Sequence, residues 1–124
     1  MDRQEILDQL KAFPYSPDDY WVITGSAMVL YGIREKTHDI DLGCNSRMAD
    51  KLEAEGYLVK TDPDGNRKFR YGDDIEIYEN WLRDTVNRVE GFQVISIPGL
   101  IQMKSGLGRE KDKRDLELIK AFCK

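Results

Sequence analysis

Apolar positions along the chain switch between two periods. Ile6, Leu7, Leu10 and Phe13 recur at helical spacing, which predicts an amphipathic helix over residues 3 to 12, ended by Pro14 and Pro17. Trp21-Val22-Ile23-Thr24 is a short apolar, β-branched run and reads as a buried strand. Gly25-Ser26 breaks it, and Ala27 to Tyr31 continues as a short helix closed by Gly32. Asp39-Ile40-Asp41-Leu42 alternates strictly, as a half-buried strand does. Ser46 can cap a helix over 47 to 55 that Gly56 stops. Three strands are then expected, Tyr57 to Lys60, Arg67 to Tyr71 and Asp74 to Tyr78, the first two joined by the turn Asp62-Pro63-Asp64-Gly65-Asn66. Residues 80 to 90 are expected to be helical, Phe92 to Ser96 a strand, and Pro98 the first turn of a helix running to about Leu107. A last helix over 110 to 122 buries Leu116, Ile119 and Cys123. Strands interleaved with helices predict an α/β or α+β sheet covered by helices.

Composition narrows the class. With 124 residues, 40% hydrophobic and 34% charged, the chain is sized for one domain with one core. No apolar run approaches the roughly 20 residues that cross a bilayer, and the polar start is unlike a signal peptide. Two distant cysteines, Cys44 and Cys123, suggest free thiols, so a cytoplasmic location is expected. One histidine with two cysteines excludes zinc-finger spacing. The net charge of -4 is uneven: residues 104 to 124 hold seven Lys or Arg and four Asp or Glu. A globally acidic chain is a poor nonspecific duplex binder. Acidic body and basic tail together suit a small anionic ligand held near carboxylates, through metal ions.

Three features carry candidate chemistry. A helix starting at Gly25-Ser26 offers free N–H donors to phosphate, and glycine admits close approach to the backbone. Asp39 and Asp41 fall on one face of their strand, with Cα atoms about 6.5–7 Å apart. Such a pair repels itself unless cations compensate, and hard oxygen ligands suit Mg²⁺ or Mn²⁺. Ile75-Glu76-Ile77 repeats the pattern, placing Glu76 opposite two core aliphatics; Asp74 competes but follows a turn. Three carboxylates from two strands are what a two-metal phosphoryl displacement uses.

Gly25-Ser26, then Asp39-Ile40-Asp41, then Ile75-Glu76-Ile77 resembles the DNA polymerase beta-like nucleotidyltransferase superfamily. Thr24 to Ala27, Leu30-Tyr31-Gly32, Thr37 to Leu42 and the segment from Ile97-Pro98 to Asp115 look like its small stand-alone bacterial and phage members, the AbiEii-type and minimal nucleotidyltransferases. The resemblance spans about residues 20 to 120. It implies a mixed β-sheet with flanking helices and a C-terminal helical segment. It further implies Gly25 and Ser26 on a nucleoside triphosphate, Asp39, Asp41 and Glu76 as catalytic metal ligands, and Mg²⁺ or Mn²⁺ as cofactor. The implied reaction is attack of an acceptor hydroxyl on the α-phosphate, releasing pyrophosphate. Glu76 stands where many relatives carry Asp. The acceptor is left open among protein, tRNA and small molecule, and a partner protein in a toxin–antitoxin or phage-defence pair is implied by the resemblance alone.

Lys104 is expected either to neutralise a triphosphate oxygen or to pair with Asp112 or Asp115. Arg109, Lys111, Lys113 and Arg114 read as a solvated helix face, and Arg34 and Lys36 as loop cations. His38 is turned away from Asp39 by strand alternation, and Trp21 and Trp81 read as core. The alternative function is a catalytically silent nucleotide-binding or protein-interaction module on the same fold.

Overall fold

The computed structural model describes residues 1–81 and 85–123. Its elements are α1 (Arg3–Ala12), β1 (Tyr20–Ile23), α2 (Thr24–Tyr31), β2 (Ile40–Cys44), α3 (Ser46–Ala54), β3 (Leu58–Thr61), β4 (Arg67–Tyr71), β5 (Ile75–Glu79), β6 (Val86–Val89), β7 (Phe92–Ile95), α4 (Ile97–Leu107) and α5 (Glu110–Phe122). Among the described residues the strands form one mixed sheet in the order β3-β4-β5-β2-β1-β7-β6. β2–β5 and β1–β7 are parallel, and the remaining neighbours are antiparallel. This mixed sheet, with its helices and C-terminal helical pair, is the expected fold class.

Alternation settles which face of the sheet is core. Ile40, Leu42, Ile75, Ile77 and Phe69 are buried, while the residues between them, Asp41, Glu76, Tyr78 and Lys68, are only partly covered. Asp2 caps α1 through a capping box with Glu5, and its Ile6, Leu7 and Leu10 join the core. Asn45, not Ser46, caps α3 by accepting from the Met48 N–H. Its glycine stop falls as expected: Gly56 takes a left-handed φ of 90°.

The segment read as helix over 80 to 90 is different. Val86–Val89 is a strand paired antiparallel with β7, Arg88 facing Gln93; residues 82 to 84 lie outside the described residues. The turn between them is Glu90-Gly91, both at positive φ (52° and 87°), the geometry of a tight hairpin that Asn-Gly or Asp-Gly usually marks. Glutamate hid that signal.

Arg67 and Glu79 fasten the sheet's far half. The Arg67 guanidinium donates to both Glu79 oxygens (2.9 and 2.7 Å), and its backbone N–H donates at 3.1 Å. Asp50 and Glu53 of α3 pair with the same guanidinium. The Arg67 guanidinium lowers the Glu79 carboxyl to about 2, from an ordinary 4.5. A lowered carboxyl stabilises the fold fully above the unfolded value and loses that contribution as pH falls through the folded one. Glu79→Gln is therefore expected to cost about 2–3 kcal/mol at neutral pH and almost nothing near pH 2, read by urea unfolding at both.

Candidate active site

The uncovered face of the sheet carries a cleft of about 650 Å³. Five of the six residues expected at a nucleotide site line it: Gly25, Asp39, Asp41, Glu76 and Lys104. Strand register explains the convergence. Asp41 faces Ile23 across β1–β2, which brings the start of α2 beside it, and faces Glu76 across the parallel β2–β5 pair. Asp39 precedes β2 and joins from the loop. Asp74 is turned elsewhere, accepting from the Gln9 amide on α1 at 2.9 Å.

Ser26 is the residue the structure does not bring to the cleft. Because α2 begins at Thr24 and not after Ser26, the serine is 0% exposed and already inside the first turn. Its hydroxyl donates to the Ile23 carbonyl (2.8 Å) and accepts from the Asp41 N–H (3.1 Å), so it pins β2 to the start of the helix. The residue that faces the acids is Thr24, whose hydroxyl donates to an Asp41 carboxylate oxygen. Thr24 holds a φ of 57°, a left-handed conformation costing a β-branched residue about 1–3 kcal/mol. No side chain caps α2, and Gly25 keeps its backbone approachable: a Cβ there would stand 3.0 Å from both Arg34 Nη1 and Thr37 Oγ1.

Burial raises the Asp41 carboxyl above its ordinary value; Thr24's hydrogen bond opposes this, and the charges of Glu76 and Asp39 reinforce it. Glu76 is at present satisfied by protein. Arg70 Nη1 lies 3.0 Å from it, Lys68 Nζ 3.9 Å, and the Tyr78 hydroxyl donates to it at 2.9 Å. Accordingly, among the described residues no three His, Cys, Asp or Glu side chains are already drawn together as a metal cage. The donor set still fits a hard dication: three carboxylates open on one cleft, one of them half-buried beside like charges and carrying a raised pKa.

Cations share the cleft with the acids. Arg34, Arg109, Lys111 and Arg114 all line the cleft, although the α5 members read from sequence as a solvated face. Lys104 is 4% exposed and lies 3.0 Å from Asp115 and 3.4 Å from Asp112, so both of its readings describe the same place: a cleft-lining lysine held by ion pairs. Arg109 engages Asp112 at 2.6 Å, and Arg34 approaches Asp115 at 3.8 Å. Lys111 and Arg114 form no ion pair among the described residues and face the cleft uncommitted.

Two further expectations change. His38 lines the cleft, because β2 starts at Ile40 and alternation does not reach back to residue 38. Trp81 is 39% exposed and stands at the cleft's edge, its ring 4.7 Å from that of Tyr78. Trp21 is buried as expected and reaches over Gly43 to donate to the Trp81 carbonyl at 3.1 Å.

No protein-family model and no curated protein sequence matches this chain. Solved structures do. A candidate nucleotidyltransferase from Thermotoga maritima, TM1012, superposes with a TM-score of 0.63 at 19% identity, over 94% of this chain and 93% of that one. The lincosamide antibiotic adenylyltransferase LnuA, in its lincomycin-bound form, superposes with a TM-score of 0.57 at 17% identity, over 94% and 92%. At such identities the likeness is one of architecture, and the chain has a nucleotidyltransferase-like fold.

Proposed function

We propose that the protein is a metal-dependent nucleotidyltransferase that moves a nucleoside monophosphate from a triphosphate to an acceptor hydroxyl. One observation carries this reading. The register β1–β2–β5 sets the start of α2, Asp41 and Glu76 side by side on the open face of the sheet, in one cleft with Lys111 and Arg114, which have no ion pair among the described residues. LnuA and TM1012 lend the fold-level analogy.

In this reading the backbone at Thr24 and Gly25 receives the phosphates, and Arg34, Lys111 and Arg114 neutralise the departing pyrophosphate. Asp39, Asp41 and Glu76 would hold Mg²⁺ or Mn²⁺, whose charge, when bound, offsets the negative charge building on the α-phosphate. Glu76 must leave Arg70 to do so. The acceptor hydroxyl gives its proton to a cleft carboxylate as its oxygen bonds to the α-phosphorus. The bond from that phosphorus to the bridging oxygen breaks, and pyrophosphate takes the electron pair.

The pairing of Glu76 with Arg70 and Lys68 favours a second reading, a nucleotide-binding module without catalysis, in which those cations hold the acid permanently. A thermal-shift panel with ATP, GTP, CTP and UTP, with and without Mg²⁺, tests the binding step. A triphosphate at 100 times its dissociation constant adds about 2.7 kcal/mol, a shift of roughly 8–13 °C in a domain of this size. A Mg²⁺-dependent shift is expected for at least one base. Absence of any shift removes both readings; a shift without pyrophosphate release, assayed against candidate acceptors, selects the silent module.

A further inference from the structure

Where β1 passes into α2, the chain goes from extended backbone at Ile23 (φ -130°, ψ 174°) to a left-handed Thr24 (φ 57°) in one step. Resting on the transferase reading above, we infer that Thr24 is a positioning residue, its hydroxyl fixing the Asp41 carboxylate in the orientation that receives the dication.

The backbone comes first. Among the described residues three non-glycines hold a positive φ: Thr24, Asn80 and Glu90. Asparagine tolerates this conformation and Glu90 forms an exposed hairpin turn, but a β-branched side chain is the least suited to it. The surroundings impose it. On one side Ile23 is the last register partner of Asp41. On the other, the buried Ser26 hydroxyl donates to the Ile23 carbonyl at 2.8 Å and accepts from the Asp41 N–H at 3.1 Å. Between those ties the chain must turn within Thr24 and Gly25, and Thr24 takes the left-handed step. Glycine would adopt that conformation without strain. What threonine adds is a side chain, and the one hydrogen bond it makes among the described residues goes to Asp41 Oδ2. The strain thus sits at a contact with a candidate metal ligand.

The contact comes second. Asp41 stands among like charges, with Glu76 as its partner across β2–β5 and Asp39 on the same cleft. Such neighbours repel it, so an unanchored carboxylate would swing away. Glu76 is held by Arg70 and Lys68, cations that must yield before an ion can take their place. Asp41 differs. It has no ion pair among the described residues, and its carboxylate is held through Oδ2 by a neutral hydroxyl. That donor does not compete with a dication for charge, and among the described residues Oδ1 is left free of hydrogen bonds. Thr24 therefore serves Asp41 as an outer-shell donor serves a metal-ligating carboxylate, setting its direction without occupying the site.

Mn²⁺ titration, followed by the electron paramagnetic resonance signal of the free ion, reads this contact without triphosphate or turnover. Asp41→Asn is expected to lose most of the binding that wild type shows. Thr24→Ala keeps a side chain on the strained backbone but no hydroxyl, and is expected to weaken Mn²⁺ binding by about tenfold or more. Thr24→Ser restores the donor and is expected to bind within about twofold of wild type. Thr24→Gly frees the backbone and so stays folded, yet it should bind Mn²⁺ as poorly as Thr24→Ala. A threonine that served the fold alone gives another pattern: the variants differ in Tm and bind Mn²⁺ alike. If Thr24→Ala or Thr24→Gly binds like wild type while Asp41→Asn does not, the inference is overturned and the transferase reading stands. Equal weakening by Thr24→Ser and Thr24→Ala also overturns it, since the hydroxyl is then not the cause. If wild type and Asp41→Asn behave alike, both binding or neither, the ion does not depend on Asp41, and the transferase reading falls together with the inference.

Discussion

Asp41→Asn is expected to lower nucleotidyl transfer by about 10³-fold or more while leaving the protein as stable as wild type, or more so. The two halves have one cause. Asp41 is a half-buried carboxylate beside Asp39 and Glu76, an arrangement that favours its neutral form. In the proposed reaction, loss of its charge removes a central anchor for the dication, and about 4 kcal/mol of lost transition-state stabilisation corresponds to about 10³ in rate. Asparagine keeps a carbonyl oxygen for the Thr24 hydroxyl, so the local hydrogen bond survives. The pH dependence follows from the raised pKa. Below the unfolded value of 3.8 the aspartic acid is neutral in both states and the two proteins should be equally stable. As pH rises above the unfolded value, the unfolded chain ionises before the folded one, so the advantage of the variant grows from there and levels off above the folded value. Chemical denaturation at pH 3.5 and pH 7.5, without metal, checks this. Destabilisation by Asp41→Asn at pH 7.5 would mean that the acid serves the fold and not an ion.

What the sequence makes legible at this site is whatever two adjacent strands encode locally. Alternation in Asp39-Ile40-Asp41-Leu42 and Ile75-Glu76-Ile77 identifies the acids, because a strand has period two and one face must be core. It fails two residues outside the strand, where His38 enters the cleft against the alternation. Ser26 is misplaced for a related reason: a helix that starts one or two residues early rotates each side chain by about 100° per residue, which exchanges Ser26 for Thr24 at the surface. The cleft's cations have no local signature at all. Lys111 and Arg114 look like any solvated face until α5 is laid against the cleft, a placement that buried ion pairs across α4 and α5 determine. Only the basic tally of residues 104 to 124 hinted at it.

Lys104 is where fold and site meet, and Lys104→Met is expected to cost about 3 kcal/mol of stability, a fall of roughly 10 °C or more in Tm. The ammonium is nearly inaccessible and lies between Asp112, which is fully buried, and Asp115. Removing it leaves two carboxylates under-compensated in the interior, which costs more than the pair itself contributes. Arg109 still serves Asp112, and Arg34 at 3.8 Å serves Asp115 weakly, so the residual penalty falls mainly on Asp115. Adding Asp115→Asn should then recover a large part of the loss, a coupling of about 1–2 kcal/mol in a double-mutant cycle. That recovery separates the two possible roles of the lysine. A lysine that only met a phosphate would leave the ligand-free protein unchanged when replaced, and the second substitution would restore nothing. In the ion-paired arrangement, triphosphate affinity falls as a consequence of α5 loosening from α4, because Lys111 and Arg114 ride on α5. Stability measured without ligand should therefore fall first, and the Asp115→Asn background should regain part of the nucleotide shift together with part of the Tm.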